Sequence, residues 1–471
     1  MAANVRQSEH STMHTPMNCT PAVSGRRAGL ALPALAASLL ALAACNSAAP
    51  RVESPAAAPS RAAVAAPVTA AAAAATPAPG VAAVAAPSPP PPRTVAAAPL
   101  NTFVAPEPVP FEEAIARSGT ELFAQARERL GAEKRTLVID PLIDANTGAQ
   151  TVSTARMGDQ IEAIAKARQA GWTVKPLTRE SLAEKPLLMI GTLTPVNVER
   201  AVDTVPDAFR VWLTVIDLRD GRVIAKQLDR ATLGSVNPEP LKFYADSPTW
   251  HKDKTVLGYI NSCQINTKIG DPADPDYLAR LPAAAVVNEA ILAYGSGNTQ
   301  AAHQLYMDAQ RLADPGDLRV LNGLYLTSWK LGKRDLAKQS FAKLVDSGIE
   351  LKRLPVKLLF QPGRTTFHAV GDLGQQYPMW VSTVAEQAGK SNTCIRIVGH
   401  TSRTGSARAN ETLSRQRAEA VQRMLEQNNR ALATRLTAAG AGSREALVGL
   451  GTDDQRDALD RRVEFRVVDC V

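Results

Sequence analysis

Residues 395–401 are Ile-Arg-Ile-Val-Gly-His-Thr, and residues 413–418 are Leu-Ser-Arg-Gln-Arg-Ala. The first stretch alternates apolar and polar side chains, as a half-buried strand does. The second opens a segment whose apolar residues recur at helical spacing and so share one face. Asn410, just before it, is a residue type that caps helices. We therefore predict a strand, a loop and an amphipathic helix that holds Arg417 near the end of the strand.

Three further features extend this pattern. A strand of residues 356–360 precedes it, a turn at 440–442 follows it, and residues 460–465, Asp-Arg-Arg-Val-Glu-Phe, form a closing strand. Together these features resemble the OmpA-like peptidoglycan-binding domain, whose motifs GHTD, G, N, LSxxRA and NRRVEF occur here in order and spacing. Ser402 and Asp460 are the two departures. The resemblance covers about residues 354–471 and implies an α/β sandwich.

The resemblance also implies a binding site for the peptidoglycan stem peptide. Arg417 matches the family arginine that grips the free carboxylate of diaminopimelate. Ser402 stands where the family has an Asp, whose charge meets the ammonium of the same residue. The peptidoglycan-binding residues expected here are Thr401, Ser402, Asn410, Arg417 and Arg461.

The residues alone leave other interpretations of this region open. A guanidinium suits a carboxylate ligand, but Arg417 could equally pair with Glu464 or another acid on its own domain. Since Ser402 carries no charge, part of a charge-assisted contact worth about 1.5–3 kcal/mol is missing, and Glu411 or another nearby acid would have to replace it. His400 is interpreted as a packing residue because it lacks a second His at metal-ligand spacing. Asp460 is interpreted as a turn or cap residue.

The chain begins with the pattern of a secretory signal. Residues 1–44 contain Arg26-Arg27 and an apolar run over residues 30–42, and the run ends in Leu-Ala-Ala before Cys45. This resembles the lipobox of bacterial lipoproteins, which implies cleavage before Cys45 and lipidation of that residue. An ordinary cleavage site beside an incidental cysteine is the alternative. Asn46 in place of an Asp implies sorting to the outer membrane.

Residues 45–110 are predicted to be a tether. They are nearly all Ala, Pro, Val, Ser and Thr, and proline prevents the helix that alanine favours. Such a tract cannot form a core and extends as a semi-rigid spacer whose reach approaches about 200 Å.

Two modules are predicted between the tether and the C-terminal domain. Residues 111–255 alternate helical and strand patterns and resemble the small α/β domain of envelope lipoproteins. Within them, Asp140 and Asp144 are interpreted as turn formers. Residues 280–350 repeat at an offset of 35 residues, with Gly297 recurring as Gly332. This offset resembles a tetratricopeptide-like helical pair, which is either a partner-binding groove or a structural spacer.

Composition limits the class of protein. The 471 residues are 45% hydrophobic but only 4% aromatic, since much of the apolar count is alanine. One compact core and a membrane protein with many spanning helices are both excluded. Lys and Arg number 53 against 45 for Asp and Glu, but they form no long basic block, so nucleic acid is not a predicted partner.

The cysteines fit an oxidising compartment. After removal of the signal, Cys263, Cys394 and Cys470 remain beside the lipidated Cys45. A bridge between Cys394 and Cys470 is expected if their two strands are antiparallel neighbours. Three buried thiols are the alternative.

No nucleophile, metal or phosphate-loop motif occurs, so neither an enzyme nor a cofactor is predicted. The sequence predicts a multidomain α+β outer-membrane lipoprotein that faces the periplasm and ties the membrane to peptidoglycan non-covalently. The alternative is an adaptor that recruits an envelope machine through its α/β module and residues 280–350.

Overall fold

The computed structural model describes residues 105–168, 172–197, 205–369 and 371–470. The predicted signal, the lipidation site and most of the tether lie outside these residues. All of these described residues belong to one compact unit. Among the described helices, none is both long enough and apolar enough to cross a bilayer.

The N-terminal part of this unit is a mixed six-stranded sheet. Its strands are β1 (Arg135–Ile139), β2 (Ile143–Asp144), β3 (Trp172–Lys175), β4 (Leu187–Val196), β5 (Ala208–Asp217) and β6 (Arg222–Thr232). The order is β3-β1-β4-β5-β6, with β2 beside β4. Strand β1 runs parallel to β3 and β4, whereas β4, β5 and β6 are antiparallel.

Two long helices pack on one face of this sheet. Helix α1 spans Phe111–Leu130 and α2 spans Val152–Arg168. Their apolar side chains form one core with those of β4 to β6. Asp144 accepts hydrogen bonds from the backbone N and the hydroxyl of Thr147, both at 2.8 Å, so its interpretation as a turn former is confirmed.

The other face is covered by later helices. After the short helices α3 (Arg179–Ala183) and α4 (Lys242–Asp246), α5 (Lys254–Cys263) and α6 (Pro275–Gly295) pack on β1, β4 and β5. These helices occupy the stretch between residues 255 and 280 that the predicted boundaries do not assign. Asp274 caps α6 by accepting from the backbone N of Asp276 and Tyr277, so the helix begins before Pro282.

Two helical hairpins follow. They are formed by α6 with α7 (Thr299–Gln310) and by α8 (Leu318–Lys330) with α9 (Arg334–Glu350). Gly297 and Gly332 lie in the turns with φ of 84° and 73°, a conformation that glycine adopts without strain. The paired positions Ala302 and Ala337 are both completely buried. The 35-residue repeat in the sequence is therefore a repeat in structure.

The C-terminal part is a four-stranded sheet with two helices. Its elements are β7 (Lys357–Leu359), α10 (Leu373–Lys390), β8 (Cys394–Gly399), α11 (Ala407–Asn428), β9 (Leu436–Gly440) and β10 (Arg462–Val468). The strand order is β7-β10-β8-β9. Its core is continuous with that of the helical hairpins, because α9 packs on α10.

A segment from the N-terminal part joins the free edge of this sheet. The backbone N of Trp250 donates to the carbonyl of Pro355 at 2.9 Å, and that of Lys357 donates to Pro248 at 2.8 Å. The buried Lys357 ammonium donates to the carbonyls of Ser247 at 2.8 Å and Thr249 at 2.7 Å. Burial lowers the pKa of Lys357 to about 7.

We expect this lysine to make stability depend on pH. Its pKa is lower in the folded chain than in the unfolded chain, so the unfolded chain holds more protons above pH 7. The free energy of unfolding should therefore rise between about pH 7 and pH 9 relative to a Lys357→Met variant, as measured by urea denaturation. Lys352→Met, at an exposed lysine, is the control. Parallel pH curves for the native chain and Lys357→Met would contradict this expectation.

Cys394 and Cys470 are joined by a disulfide. Strand β8 is antiparallel to β10, and Cys394 lies opposite Val468, which is the arrangement under which the bridge was expected. Cys263 is a free, buried thiol whose pKa is raised to about 11 by burial.

Thiol counting tests the disulfide. Denatured residues 46–471 should take up one alkyl group without reductant, at Cys263, and three after reduction. Intact mass measures both numbers. Three alkyl groups without reductant would show that the bridge is absent.

Candidate functional site

Two glycines let α11 approach the ends of β8 and β9. A Cβ on Gly399 would lie 1.9 Å from the carbonyl oxygen of Ser414, and one on Gly440 would lie 2.6 Å from the Ser414 hydroxyl. Only glycine permits this close approach. The Ser414 hydroxyl also accepts from the backbone N of Gly442 at 2.9 Å. The glycine of the strand motif and the serine of the helix motif thus bring strand and helix together.

Helix α11 begins earlier than the sequence analysis expected. Ser406 is its cap, and the Ser406 hydroxyl accepts from the backbone N of Ala409 at 3.2 Å. The assignment of Asn410 as the cap is therefore wrong, because a serine directly after the turn at Gly405 already fills that position. Asn410 lies in the first turn and donates to the carbonyl of Thr404 at 3.0 Å. It holds the loop between β8 and α11.

Arg417 is completely buried under the strand end. Its guanidinium donates to the backbone carbonyls of His400 at 2.8 Å, Gln361 at 2.8 Å and Arg364 at 2.9 Å. The guanidinium carbon also lies 5.3 Å from the ring centre of Phe360. Burial lowers the pKa of Arg417 to about 10, which leaves it cationic at neutral pH. Three of its five N–H groups are thus committed to backbone carbonyls.

An acidic side chain from another loop lies at Ser402. Asp453 accepts hydrogen bonds from the hydroxyls of Ser402 and Thr404, the latter at 2.6 Å. Its side chain remains 34% exposed. Partial burial raises the pKa of Asp453, but the two hydroxyls and the nearby Arg461 and Arg417 outweigh this, and the net shift is downward. A negative charge therefore stands beside the position where the family motif has its Asp.

The backbone at Asp453 is itself unusual. Its φ is 55°, a left-handed conformation that costs a non-glycine residue of order 1 kcal/mol. Arg461 contacts the side chain of Asp453. The buried guanidinium lies 3.4 Å from the Asp453 carboxylate and 3.2 Å from that of Asp457. It also donates to the carbonyl of Asp454 at 3.0 Å. The aspartate side chain is therefore fixed rather than free in solution.

Asp460 fixes the start of the same loop. One carboxylate oxygen accepts from the backbone N of Leu447 at 2.6 Å and Val448 at 3.0 Å, and the other accepts from Gly449 at 2.7 Å. Its expected role as a turn residue is confirmed. On the outer side of this loop, the amide of Asn146 donates to the Leu447 carbonyl at 3.1 Å. The loop is thus held from both sides.

His400 lies inside the domain, where the packing interpretation places it, and is 1% exposed. One ring nitrogen is 3.3 Å from Glu464 and the other is 3.9 Å from Glu445. Burial, with Arg462 adding to it, lowers the pKa of His400 to about 4. The three groups have the spacing of metal ligands, but Arg466 donates to both carboxylates. A guanidinium therefore already fills the place a cation would take.

The predicted site residues come together only in part. Ser402 and Arg461 both contact Asp453, and Asn410 holds the loop that carries Ser402. Thr401 is buried, and its backbone N donates to Gly442 at 2.9 Å. Arg417 contacts backbone carbonyls and no carboxylate within the described residues.

Sequence reasoning did not identify the acid itself. Glu411, the acid it named, is bound to Arg444 at 2.7 Å. Asp453 follows the glycines Gly449 and Gly451, and this glycine-rich loop with a pair of aspartates was the available signal.

Residues 360–459 match the model of the OmpA family. These residues form an OmpA-family domain. The match ends before β10, which completes the sheet of this domain in the structure.

Several solved structures are similar to part of the chain. The peptidoglycan-associated lipoprotein of Burkholderia pseudomallei is 27% identical, over 24% of this chain and 89% of that one, with a TM-score of 0.20. The periplasmic domain of Helicobacter pylori MotB is 19% identical, over 25% and 74%, with a TM-score of 0.21. The OmpA-like domain of Francisella tularensis FopA1 is 23% identical, over 24% and 70%, with a TM-score of 0.20. No curated protein matches the chain.

Proposed function

We propose that this protein binds peptidoglycan non-covalently through its OmpA-family domain. The observation that carries the proposal is the partly exposed carboxylate of Asp453, held by the hydroxyls of Ser402 and Thr404. It provides a fixed negative charge beside Ser402, the position where the family motif has its Asp. The ligand is the stem peptide, whose diaminopimelate offers an ammonium to Asp453.

The residues of the site divide into two roles in this proposal. Asp453 and Ser402 contact the ammonium end of the ligand. Thr401, Asn410 and Arg461 position them through the loop contacts described above. Arg417 lies beneath the site and favours the ligand carboxylate by its charge, while its hydrogen bonds hold the end of β8 and the segment 361–364.

Binding to purified sacculi tests the proposal. Asp453→Asn removes the charge but keeps the side-chain size, and we expect it to lower the affinity about tenfold, since a charge-assisted hydrogen bond is worth about 1.5–3 kcal/mol. Co-sedimentation of unlipidated residues 46–471 with sacculi at several protein concentrations measures the affinity. Asp454→Asn, at the neighbouring acid that pairs with Arg456 at 2.7 Å, is the matched control.

Two outcomes would reject the proposal. The native chain fails to sediment with sacculi, or Asp453→Asn binds them as well as the native chain does. A variant that binds weakly is accepted as evidence only if its thermal unfolding matches that of the native chain.

The wider function follows from the N-terminal pattern. We propose a lipid on Cys45 in the outer membrane and an extended tether over residues 45–110, so that one chain links membrane and wall from the periplasmic side. The OmpA-family domain supports a binding function without chemistry. The boundaries of the modules at 111–255, 280–350 and 354–471 remain part of this proposal.

An adaptor function is the second candidate. Helices α6 and α9 expose Leu292 and Leu336, by 63% and 47%, and such side chains are available to a protein partner. Because the helical hairpins share their core with the OmpA-family domain, this candidate is better tested by Leu292→Ser and Leu336→Ser than by deletion.

A further inference from the structure

A concave surface lies away from the residues of the proposed peptidoglycan site. It is a cleft of about 1000 Å³ where three parts of the fold meet: the segment 250–257, the end of α9 with residues 351–355, and β10. Its apolar lining includes Trp250, Leu257, Leu351, Leu354 and Phe465. This volume is at the upper end of the range of pockets that hold small molecules.

Lys252 stands on one wall of the cleft, with its backbone fixed on both sides. The backbone N of His251 donates to the Thr147 carbonyl at 3.3 Å. Asp253 caps α5 by accepting from the backbone N of Val256 at 3.0 Å. Burial is the main effect that lowers the pKa of Lys252, and the charge of Arg353 lowers it further, with Asp144 opposing both. The side chains of Lys252 and Arg353 both line the cleft.

Arg353 is fixed by the end of α9. Its backbone N donates to the Gly348 carbonyl at 2.8 Å, and Lys352 turns the chain there with a φ of 52°. A Cβ on Gly348 would lie 2.5 Å from Pro355, so the chain after the helix packs tightly against it. The side chain of Lys352 is bound to Asp469 at 2.7 Å. The turn thus presents Arg353 to the cleft.

Some of the cationic side chains that line the cleft form ion pairs within the fold, and others do not. Arg280 pairs with Asp276 at 2.7 Å, and Arg466 pairs with Glu464 at 2.9 Å. In contrast, Lys252, Lys254 and Arg353 form no ion pair in the described part of the chain, because no carboxylate oxygen there lies within 4.0 Å of their charged nitrogens. A cation that forms no ion pair in the fold is available to an anionic ligand, and hydrogen bonds between ionised groups are stronger than neutral ones.

We infer that this cleft is a ligand site for a carboxylate-bearing molecule of small-peptide size, with its carboxylate between Lys252 and Arg353 and its body against Trp250 and Phe465. The site shares no residue with the surface around Asp453. It therefore goes beyond the proposed function.

Titration calorimetry of residues 46–471 tests the inference with two probes, a soluble disaccharide tetrapeptide released from peptidoglycan and inorganic phosphate. We expect the tetrapeptide to bind native protein at two sites, one near Asp453 and one in the cleft. Lys252→Gln with Arg353→Gln should remove one site, and Asp453→Asn should weaken the other. Lys352→Gln, at the neighbouring lysine already paired with Asp469, should change both affinities less than twofold.

The outcomes separate the two sites. If the tetrapeptide binds in the cleft but not near Asp453, the native chain shows a single site, and only the Lys252/Arg353 variant loses it. If that variant binds the tetrapeptide as the native chain does, or if no tetrapeptide binds, the cleft inference is overturned. Equal binding of inorganic phosphate at the cleft overturns the assignment to a peptide carboxylate. Since neither cation pairs with a carboxylate in the fold, thermal unfolding of the variant should match that of the native chain.

Discussion

Arg417→Ala should lower the free energy of unfolding by about 4 kcal/mol. The substitution leaves the buried carbonyl of His400 without its donor, which costs about 1–3 kcal/mol, and it removes weaker, part-buried hydrogen bonds to the carbonyls of Gln361 and Arg364. It also leaves a cavity beside Phe360. The free energy of unfolding of Arg417→Lys should lie between those of the native chain and Arg417→Ala, because one ammonium cannot replace the several donors of a guanidinium. Chemical denaturation of residues 46–471, followed by circular dichroism, measures the change.

A neighbouring arginine provides the control. Arg415 lies two residues earlier on α11, has an exposed side chain, and stands 3.7 Å from Glu419. Arg415→Ala should change stability by less than about 0.5 kcal/mol. A loss below 1 kcal/mol in Arg417→Ala would show that its carbonyl contacts do not hold the fold and that the guanidinium is free to meet a ligand directly.

This result determines how binding data on Arg417 are interpreted. A variant that loses both stability and sacculus binding says little about the ligand. Asp453 is the better probe of recognition, since its carboxylate is partly exposed and its partners are mainly hydroxyls.

Ser402→Asp should weaken the site, although it restores the residue of the family motif. The new carboxylate would lie within hydrogen-bond distance of Asp453, where two negative charges cannot both be ionised without cost. We expect a loss of about 1–3 kcal/mol in the free energy of unfolding at pH 7. One of the two carboxyls takes a raised pKa in the folded state. The loss should therefore shrink as the pH falls toward about 4, because protonation then favours the folded chain.

The double variant Ser402→Asp with Asp453→Asn should reverse this effect. It moves the single charge from one loop to the other, and the introduced amide can donate to the new carboxylate. Stability at pH 7 should return to within about 1 kcal/mol of the native value. If the single Ser402→Asp variant is as stable as the native chain at pH 7, the two side chains do not meet as described.

Local sequence signals predicted much of the fold. The helix Phe111–Leu130 has strong periodicity, and the hairpin of β5 and β6 has the turn dipeptide Asp220-Gly221, with the glycine at a φ of 73°. The repeat of Gly297 as Gly332 marked the two helical turns for the same reason. Each of these features depends on residues close together in the chain, where propensity and turn chemistry act.

Apart from the Cys394–Cys470 bridge, most features that depend on distant residues were not predicted. Helix α5 covers the second face of the N-terminal sheet, and residues 247–250 extend the C-terminal sheet across an interval of about one hundred residues. Asp453 meets Ser402 across 51 positions. No periodicity reports such pairings, because they arise only when separate elements pack.

The sequence motif of residues 395–418 predicted some features of the site and missed others. It predicted a strand, a loop and a helix that brings Arg417 near the strand end, but the close approach of β8, β9 and α11 at Gly399, Gly440 and Ser414 is visible only in the structure. Its departure at Ser402 identified where a charge was missing, but only the folded loop shows that Asp453 lies there.

The most direct test is the affinity for sacculi of four proteins, measured by co-sedimentation at equal pH and salt: the native chain, Asp453→Asn, Ser402→Asp and the double variant. We predict that Asp453→Asn binds about tenfold more weakly. The double variant should recover most of the native affinity, since its single charge stands again beside the loop of α11. A double variant as weak as Asp453→Asn, or an Asp453→Asn variant as strong as the native chain, would contradict recognition by this relocated carboxylate.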